Sequence, residues 1–226
     1  MAVSKRDQEK GFTREESLRF QHLSSEGKSR FIRVFEAREE KSPITSLAIS
    51  AEWVAAGSES GKVVLWNLRD DTMSKTIFAH QKKVSDLVFS NDGKYLVTGG
   101  EDGNLIKWDV AKGSEYQRVE CNGPVYSVDI SANGMDLLAG SEDNNAHLWD
   151  DTQGKESLID HQFPVRTVAF LYEKGMGLSY AQGMNHPRIK YDLKIWNLSS
   201  KKMEHQELFQ GKLWVSPGGK TMAGWK

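Results

Sequence analysis

Several features that mark particular classes of protein are scarce or missing from this sequence. Of its 226 residues only Cys121 is a cysteine, which excludes a disulfide within the chain and is typical of a reducing compartment. No apolar run approaches the roughly 20 residues that a membrane-spanning helix needs. The N-terminal MAVSKRDQEKGFTREE also lacks the apolar stretch of a secretory signal. These absences favour a cytoplasmic or nuclear protein with no membrane partner.

The sequence also lacks an excess of charge of either sign. Its formal net charge is −1, so no global field attracts nucleic acid or an anionic membrane surface. Direct binding to nucleic acid is therefore disfavoured, although a neutral chain can still associate with nucleic-acid assemblies through other proteins.

What the sequence has instead is a periodic tryptophan. The motifs VVLWNL, NLIKWDV, NAHLWDD and DLKIWNL carry Trp66, Trp108, Trp149 and Trp196, which lie 42, 41 and 47 residues apart. This spacing is typical of the four-stranded blade of a β-propeller. The sequence therefore predicts an all-β repeat protein.

The second repeat has the clearest strand pattern. Its apolar alternation predicts an inner strand over Val84–Ser90, a second strand over Tyr95–Gly99 and a third over Leu105–Asp109. A more polar outer strand follows over about Tyr116–Val119. The segments between them, NDGK and EDGN, have the composition of tight turns.

The other repeats align with the second one. The predicted inner strands are Ile44–Ser50, Val125–Ser131 and Val165–Phe170. The second strands start near Val54, Leu96, Leu137 and Leu178, positions that lie 12 residues before the tryptophan in the first three repeats and 18 before it in the fourth. The fourth repeat therefore carries an insertion, which the sequence places in a loop over Gln182–Arg188.

Both ends of the chain depart from the full repeat. Residues 213–224 match the first two strands of a further blade, and Arg30–Ala37 stands where an outer strand or a linker strand would precede Ile44. Residues 1–29 lie outside the repeat. Thr13-Arg14-Glu15-Glu16 has the form of a capping box, so we expect a short helix or a disordered arm there, either of which could also dock a partner.

The four motifs resemble those of WD-repeat β-propeller proteins, over roughly residues 30–226. The resemblance implies four blades, at about 38–80, 81–121, 122–161 and 162–205, with a partial fifth at 206–226. In that family a His, a turn Asp, a Ser or Thr and the Trp form a hydrogen-bonded network in each blade. The positions that match this structural network are His80, Asp102, Trp108, Asp143, Trp149, His161, Trp196 and Trp66.

The match to that network is incomplete in three blades. Cys121 replaces the His of blade three, and the Asp of blade four is either displaced to Asp192 or lost. Blade one has Ser60 and Glu40 at the Asp and His positions. The residue that supplies the hydroxyl of the second strand is not assigned, because Thr98 and its neighbours allow more than one register. Incomplete networks predict looser packing in blades one and four.

The resemblance also implies a closed ring of about six to eight blades, because closure removes exposed strand edges. Four blades and a partial fifth form an open or incomplete ring. Three explanations remain, in this order: a C-terminally truncated product or isoform, an expression fragment, or an open propeller that a partner or a second copy completes.

Partner contacts in this family often use the residues on either side of the first apolar residue of each inner strand. The equivalent residues are Pro43, Thr45, Lys83, Ser85, Pro124, Tyr126, Pro164 and Arg166. Tyr and Arg are the residue types that most often carry interface energy. We therefore expect Tyr126 and Arg166, on neighbouring blades, to be the main anchors, with Lys83 and Ser85 beside them.

The function predicted from these features is that of a non-enzymatic scaffold or adaptor that binds proteins or peptides in a multiprotein complex. No cofactor, metal site or catalytic residue is expected, because no histidine, cysteine or glycine motif has the required spacing. One alternative is a substrate receptor of a cullin-type ubiquitin ligase, since Leu65–Arg69 resembles the adaptor-docking box with Arg69 at its basic position. The other is an RNA- or chromatin-associated WD-repeat factor.

Overall fold

The fold is known from a computed structural model. It describes residues 42–70, 74–151, 154–171, 175–183, 191–200 and 202–209, and the backbone of four further strands nearer the two ends. Every regular element in this described part of the chain is a β-strand.

Twenty strands follow one another along the described residues. They are β1 (Ser17–Leu23), β2 (Ser29–Glu36), β3 (Ile44–Ile49), β4 (Trp53–Ser58), β5 (Lys62–Asn67), β6 (Ser74–Phe78), β7 (Val84–Phe89), β8 (Tyr95–Gly100), β9 (Asn104–Asp109), β10 (Ser114–Glu120), β11 (Val125–Ile130), β12 (Asp136–Ser141), β13 (Asn145–Asp150), β14 (Lys155–Asp160), β15 (Val165–Leu171), β16 (Met176–Gln182), β17 (Tyr191–Asn197), β18 (Met203–Phe209), β19 (Lys212–Val215) and β20 (Met222–Trp225).

Sixteen of these strands form four antiparallel sheets of four strands each. Blade one is β3–β6, blade two β7–β10, blade three β11–β14 and blade four β15–β18, with the strands in chain order within each sheet. The predicted inner and second strands are confirmed to within a residue or two. Two separate hairpins, β1–β2 and β19–β20, stand at either end of the series. The second hairpin matches the predicted first two strands of a further blade.

The N-terminal arm differs from its prediction. The segment expected to be a helix or disordered contains β1, which pairs antiparallel with β2. The helical interpretation was wrong because Leu18 and Leu23 fit a helical face only loosely, whereas Leu18 and Phe20 also fit the period of a strand. Residues 30–36 form a strand as predicted, but this strand pairs with β1 in a two-stranded sheet.

The apolar core lies between neighbouring blades. One cluster joins blades one and two, a second joins blades two and three, and a third joins blades three and four. Glycine makes this close packing possible: a methyl group built on Gly99 of β8 would stand 2.6 Å from Cγ1 of both Val125 and Val128 on β11. Gly57 and Gly140 hold the same position in blades one and three.

Carboxylates join the inner strands of adjacent blades. Asp86 of β7 accepts the backbone N–H of its neighbour Leu87 at 2.9 Å and that of Val128 on β11 at 2.9 Å. Asp129 of β11 likewise accepts from Ile130, at 2.9 Å, and from Phe170 on β15, at 2.7 Å. These bonds satisfy N–H groups on strand edges that face the next blade. Burial raises the pKa of Asp86 to about 6, against the lowering effect of its hydrogen bonds.

The turn between the second and third strands of a blade needs a left-handed residue. Gly103 takes this conformation in blade two, with φ of 86°, and Asn144 takes it in blade three, with φ of 69°. Asn is the non-glycine residue that adopts this region most readily. The turn therefore keeps its shape, and the preceding Asp102 and Asp143 keep equivalent places.

Candidate partner-binding face

The inner strand of every blade contains a β-bulge at its second residue. Pairing with the second strand shifts between Ile44 and Ser46, and likewise at the start of β7, β11 and β15. The residues left out of the pairing are Thr45, Ser85, Tyr126 and Arg166. A bulge re-aims the extra residue's side chain, so these four residues define one end of the blades, here called the bulge face.

Tyr126 and Arg166 meet on the bulge face. The Arg166 guanidinium carbon lies 3.8 Å from the centre of the Tyr126 ring, which is a close cation–π contact. Burial raises the pKa of Tyr126; Arg166 opposes this rise and the nearby Glu142 carboxylate adds to it. The two residues expected to be anchors thus form one half-buried unit across the boundary between blades three and four.

The remaining predicted contact residues are placed less favourably. Lys83 is half-buried and pairs with Glu101 at 3.4 Å, so it offers a partly neutralised charge. The Ser85 hydroxyl is buried and has no hydrogen-bond partner. Thr45 donates to the carbonyl of Val84 at 2.5 Å, which ties blade one to blade two. Of the predicted contact residues on the bulge face, Tyr126 and Arg166 therefore remain the strongest candidates for anchors.

Arg69 lies at the other end of the blades. Its guanidinium pairs with Glu52, which precedes β4, at 2.7 Å, and its backbone N–H donates to the Asn67 side chain at 2.7 Å. The Arg69 side chain is largely exposed. The predicted contact residues therefore fall on two opposite surfaces, with Arg69 separate from the bulge face.

The network of blade two is complete. Trp108 Nε1 donates to Thr98 Oγ1 at 3.0 Å, Thr98 lies 2.9 Å from His80 Nε2, and His80 Nδ1 lies 2.9 Å from Asp102 Oδ1. Asp102 also accepts the backbone N–H of Gln81 at 3.0 Å. Each group is satisfied when His80 is neutral and carries its proton on Nδ1. Burial lowers the pKa of His80, against the opposing effect of Asp102.

Blade four has an equivalent network, which is complete although its aspartate does not lie in the turn. Trp196 donates to Ser179 Oγ at 3.3 Å, Ser179 lies 2.7 Å from His161 Nε2, and His161 Nδ1 lies 3.0 Å from Asp192. Of the two alternatives for the aspartate, displacement to Asp192 is the one observed. Its other oxygen accepts from Gln206 at 2.9 Å. Burial lowers the pKa of His161, with Asp192 opposing it.

Blade three uses different residues, and the prediction that Asp143 and Trp149 belong to one network is corrected. Asp143 contacts His147 Nε2 at 2.9 Å, and His147 Nδ1 contacts Glu156 at 2.6 Å. The Trp149 indole instead faces Gln117 of blade two, whose amide accepts its N–H when oriented to satisfy both neighbours. The histidine that blade three lacks on its N-terminal side is thus replaced by one from its own third strand.

Blade one keeps its tryptophan in a different setting. Trp66 is buried, and Ala56 stands at the position that Thr98 holds in blade two. Ser58, two residues further along β4, lies 2.9 Å from Ser60, the residue at the turn-aspartate position. Glu40, the residue at the histidine position, lies outside the described residues.

Lys107 is a buried residue that the sequence analysis did not single out. Its ammonium lies 4.4 Å and 4.7 Å from the ring centres of Tyr95 and Tyr116 and 3.4 Å from Asp151 of blade three. Its only sequence signal is a lysine at a position that is apolar in the other three blades. Lys107 therefore joins blades two and three.

The repeat sequence matches the family described as WD domain, G-beta repeat, over residues 29–67, 72–109 and 113–150, together more than half of the chain. The chain belongs to this WD-repeat family. The matched segments each begin near an outer strand and end at the tryptophan strand, so they are offset from the sheets by one strand. Blade four of this WD-repeat chain lies outside the matched segments.

Curated relatives of the WD-repeat chain match over short segments. The rice (Oryza sativa subsp. japonica) Chromatin assembly factor 1 subunit FAS2 homolog is 39% identical over 77 residues, 31% of this chain and 15% of the relative. The Dictyostelium discoideum DDB1- and CUL4-associated factor 13 is 46% identical over 55 residues, 24% of this chain and 12% of the relative. The fission yeast (Schizosaccharomyces pombe) Set1 complex component swd1 is 29% identical over 77 residues, 34% of this chain and 19% of the relative. The chain thus spans less than a fifth of each of these relatives.

Among solved structures, a chain of the crystal structure of the mitotic checkpoint complex has a similar fold. The TM-score is 0.73 at 19% sequence identity, covering 87% of this chain and 62% of that one. At this identity the likeness concerns the fold alone. In the described part of the WD-repeat chain no three His, Cys, Asp or Glu residues are grouped to hold a metal ion. No helix there is long and apolar enough to cross a membrane.

Replacing Thr98 with valine should destabilise the WD-repeat chain by about 2–4 kcal/mol, because the Trp108 indole N–H and a His80 nitrogen would each lose a buried partner. Urea unfolding would measure the loss. The matched control is Thr76→Val on β6, where the side chain is exposed and the change should stay within about 0.5 kcal/mol. Equal effects of the two substitutions would contradict the role assigned to Thr98.

The unfolding free energy should fall as the pH is lowered from about 7.5 to about 5.5. The folded-state pKa values of His80 and His161 lie below those of the unfolded chain, so the unfolded state binds more protons in acid. Each histidine contributes up to about 1.4 kcal/mol per pH unit below about pH 6.5. Asp86 acts in the opposite direction, because its raised pKa favours the folded state as the pH falls through about 6.

The histidine contribution can be isolated by comparing the wild type with His80→Gln in urea at each pH. The stability difference between the two proteins should shrink towards acid. A difference that is constant across this range would mean that His80 does not change its protonation between the folded and unfolded states.

Proposed function

We propose that this WD-repeat chain is a non-enzymatic scaffold that binds a protein or peptide partner on its bulge face. The observation that carries the proposal is the Tyr126–Arg166 unit, in which two bulged residues of adjacent blades contact each other at 3.8 Å. Stacking orders the guanidinium and keeps its N–H edge available for a carboxylate or a backbone carbonyl. Such an ordered anchor loses little side-chain entropy when a partner binds.

The charges around this anchor favour a polypeptide partner. Lys83 and Arg166 lie on the same face as Glu101 and Glu142, so the surface has no excess of positive charge for a phosphate backbone. The names of the relatives agree with a role in assemblies, since one is a homolog of a chromatin assembly factor 1 subunit and another is a component of the Set1 complex. Those names also favour a nuclear or cytoplasmic protein.

Truncating the side chain of either anchor should weaken binding of the partner without unfolding the chain. We expect Arg166→Ala and Tyr126→Ala each to cost about 2 kcal/mol of binding free energy, or roughly 30-fold in Kd. The measurement is quantitative affinity capture from cell extract, followed by a binding titration with the partner identified. Arg118→Ala, on the outer strand β10 and paired with Glu115 at 2.6 Å, is the matched arginine control. Unchanged capture by both anchor variants would refute the proposal.

A second candidate function is that of a ubiquitin-ligase substrate receptor. It is favoured by the exposed position of Arg69 and by the similarity to DDB1- and CUL4-associated factor 13. In this case purified DDB1, the adaptor in that relative's name, should bind the chain directly. Arg69→Ala should abolish this binding, while Lys112→Ala should leave it intact. Isothermal titration calorimetry would measure both. If the wild type shows no heat of binding, the receptor function is excluded.

A further inference from the structure

The three arginines whose side chains the structure describes differ in their partners. Arg69 pairs with Glu52 at 2.7 Å, and Arg118 pairs with Glu115 at 2.6 Å. Arg166 is the only one of the three that is half-buried, yet it has no carboxylate within 4.0 Å among the described residues. A cation that is partly removed from water without an anion is destabilising. The missing anion therefore points to a ligand.

Blade four does not supply this anion at the place where the other blades have one. On the bulge face the N–H of Gln182 donates to the carbonyl of Pro164 at 3.0 Å. The residues that make the equivalent bond in the other three blades are all glutamates, Glu59, Glu101 and Glu142. In blade two this glutamate pairs with Lys83 at 3.4 Å. Blade four has the neutral Gln182 instead, and residues 184–190, which follow it, contain no Asp or Glu.

Tyr126 fixes the orientation of the cation. The Arg166 guanidinium carbon lies 3.8 Å from the centre of the Tyr126 ring, so the ring covers one face of the guanidinium. Its N–H groups lie around the edge of the plane, where they form a fork that matches the two oxygens of a carboxylate. A half-buried ion pair is also screened less by water than an exposed one. The geometry therefore favours a carboxylate over a single backbone carbonyl.

The charges beside this pair favour a singly charged anion. Burial raises the pKa of Tyr126, and the Glu142 carboxylate, which bonds the Tyr126 side chain, adds to this rise. Glu142 lies close enough to oppose an incoming anion, but it does not reach Arg166 within 4.0 Å. A phosphate group carries almost two charges near pH 7 and needs more than one cation. Lys83, the other basic residue beside a bulge, already pairs with Glu101.

We propose that Arg166 binds the carboxylate of an aspartate or glutamate side chain in the partner polypeptide. The inference rests on the proposed function, because it names the chemistry that the bulge face recognises. Tyr126 holds the guanidinium for a two-point contact. Glu142 sets the selectivity, because its charge weakens the binding of every anion and that of a phosphate most.

The test follows the arginine Nε–Hε resonances of the full chain by NMR during titration with a carboxylate probe, the N-methylamide of N-acetylglutamic acid. We expect the Arg166 resonance to shift and saturate, whereas those of Arg69 and Arg118, which are already paired, should shift far less. The N-methylamide of N-acetylglutamine has the same shape without the charge and should leave Arg166 unchanged. Arg166→Lys identifies the resonance by removing it.

A second measurement tests the role of Glu142. Glu142→Gln should bind the carboxylate probe about threefold more tightly, because a nearby like charge is removed. The matched control is Glu59→Gln, at the equivalent position in blade one, which should leave the affinity unchanged. Both residues are exposed, so neither substitution should unfold the chain, and circular dichroism checks this.

Three results would overturn the proposal. They are equal shifts of all three arginine resonances, an equal response to the neutral glutamine probe, and tighter binding of the N-methylamide of N-acetylphosphoserine than of the carboxylate probe. These titrations contain no partner protein. Their failure is therefore distinct from unchanged partner capture by Arg166→Ala and Tyr126→Ala, which would refute the bulge face as a binding surface.

Discussion

The rest of this structure depends on the contact between one blade and the next. A four-stranded antiparallel sheet cannot bury its apolar face alone, and here the three largest core clusters each span two blades. The approach is close enough that Gly99 leaves no room for a methyl group. Stability is therefore a property of neighbouring pairs, and a change at one boundary acts on two blades at once.

The same contact generates the candidate binding surface. Asp129 holds the inner strands of blades three and four side by side through its bonds to Ile130 and Phe170. Since each inner strand has its bulge at the same residue, this alignment brings Tyr126 against Arg166. At the preceding boundary, between blades two and three, burial raises the pKa of Asp86 to about 6, so holding that carboxylate there is costly. Two backbone N–H bonds at each carboxylate offset that cost.

The sequence predicts the strands well because the same pattern occurs in each of the four repeats. The inner strands beginning at Ile44, Val84, Val125 and Val165 were all located from their apolar alternation and from the alignment of the four repeats on their tryptophans. The N-terminal arm had no such repetition. Its few apolar residues fit a helix and a strand alike. The strand β1 pairs with β2, and the residue pattern of β1 alone does not encode that pairing.

The side-chain networks were harder to predict, since they depend on distances across the sheet. The spacing to Trp196 could not decide between displacement and loss of the blade-four aspartate, because Asp192 reaches His161 from the third strand. His147 was not assigned a role, since its partners Asp143 and Glu156 are on different segments. Tyr126 and Arg166 were expected on neighbouring blades from their equivalent positions in the repeats, but the contact between their side chains is seen only in the structure.

The differences between blades indicate that network residues change as a set. In blade two a side chain at Gly100 would collide with the His80 imidazole and the Asp102 carboxylate. Blade three has Cys121 in place of that histidine, and Ser141 stands at the position of Gly100, where its hydroxyl donates to the carbonyl of Gly123 at 3.1 Å. Blade three also lacks the hydroxyl of the second strand, since Ala139 stands at the position of Thr98.

Introducing a histidine at Cys121 alone would therefore not rebuild the network. The new imidazole would find no hydroxyl at Ala139 to donate to its Nε2. Asp143 is moreover already engaged by His147 at 2.9 Å. Blades two, three and four thus each hold one self-consistent arrangement of buried polar groups. An exchange between these arrangements requires several simultaneous substitutions, because a single substitution leaves a buried donor or acceptor unpaired.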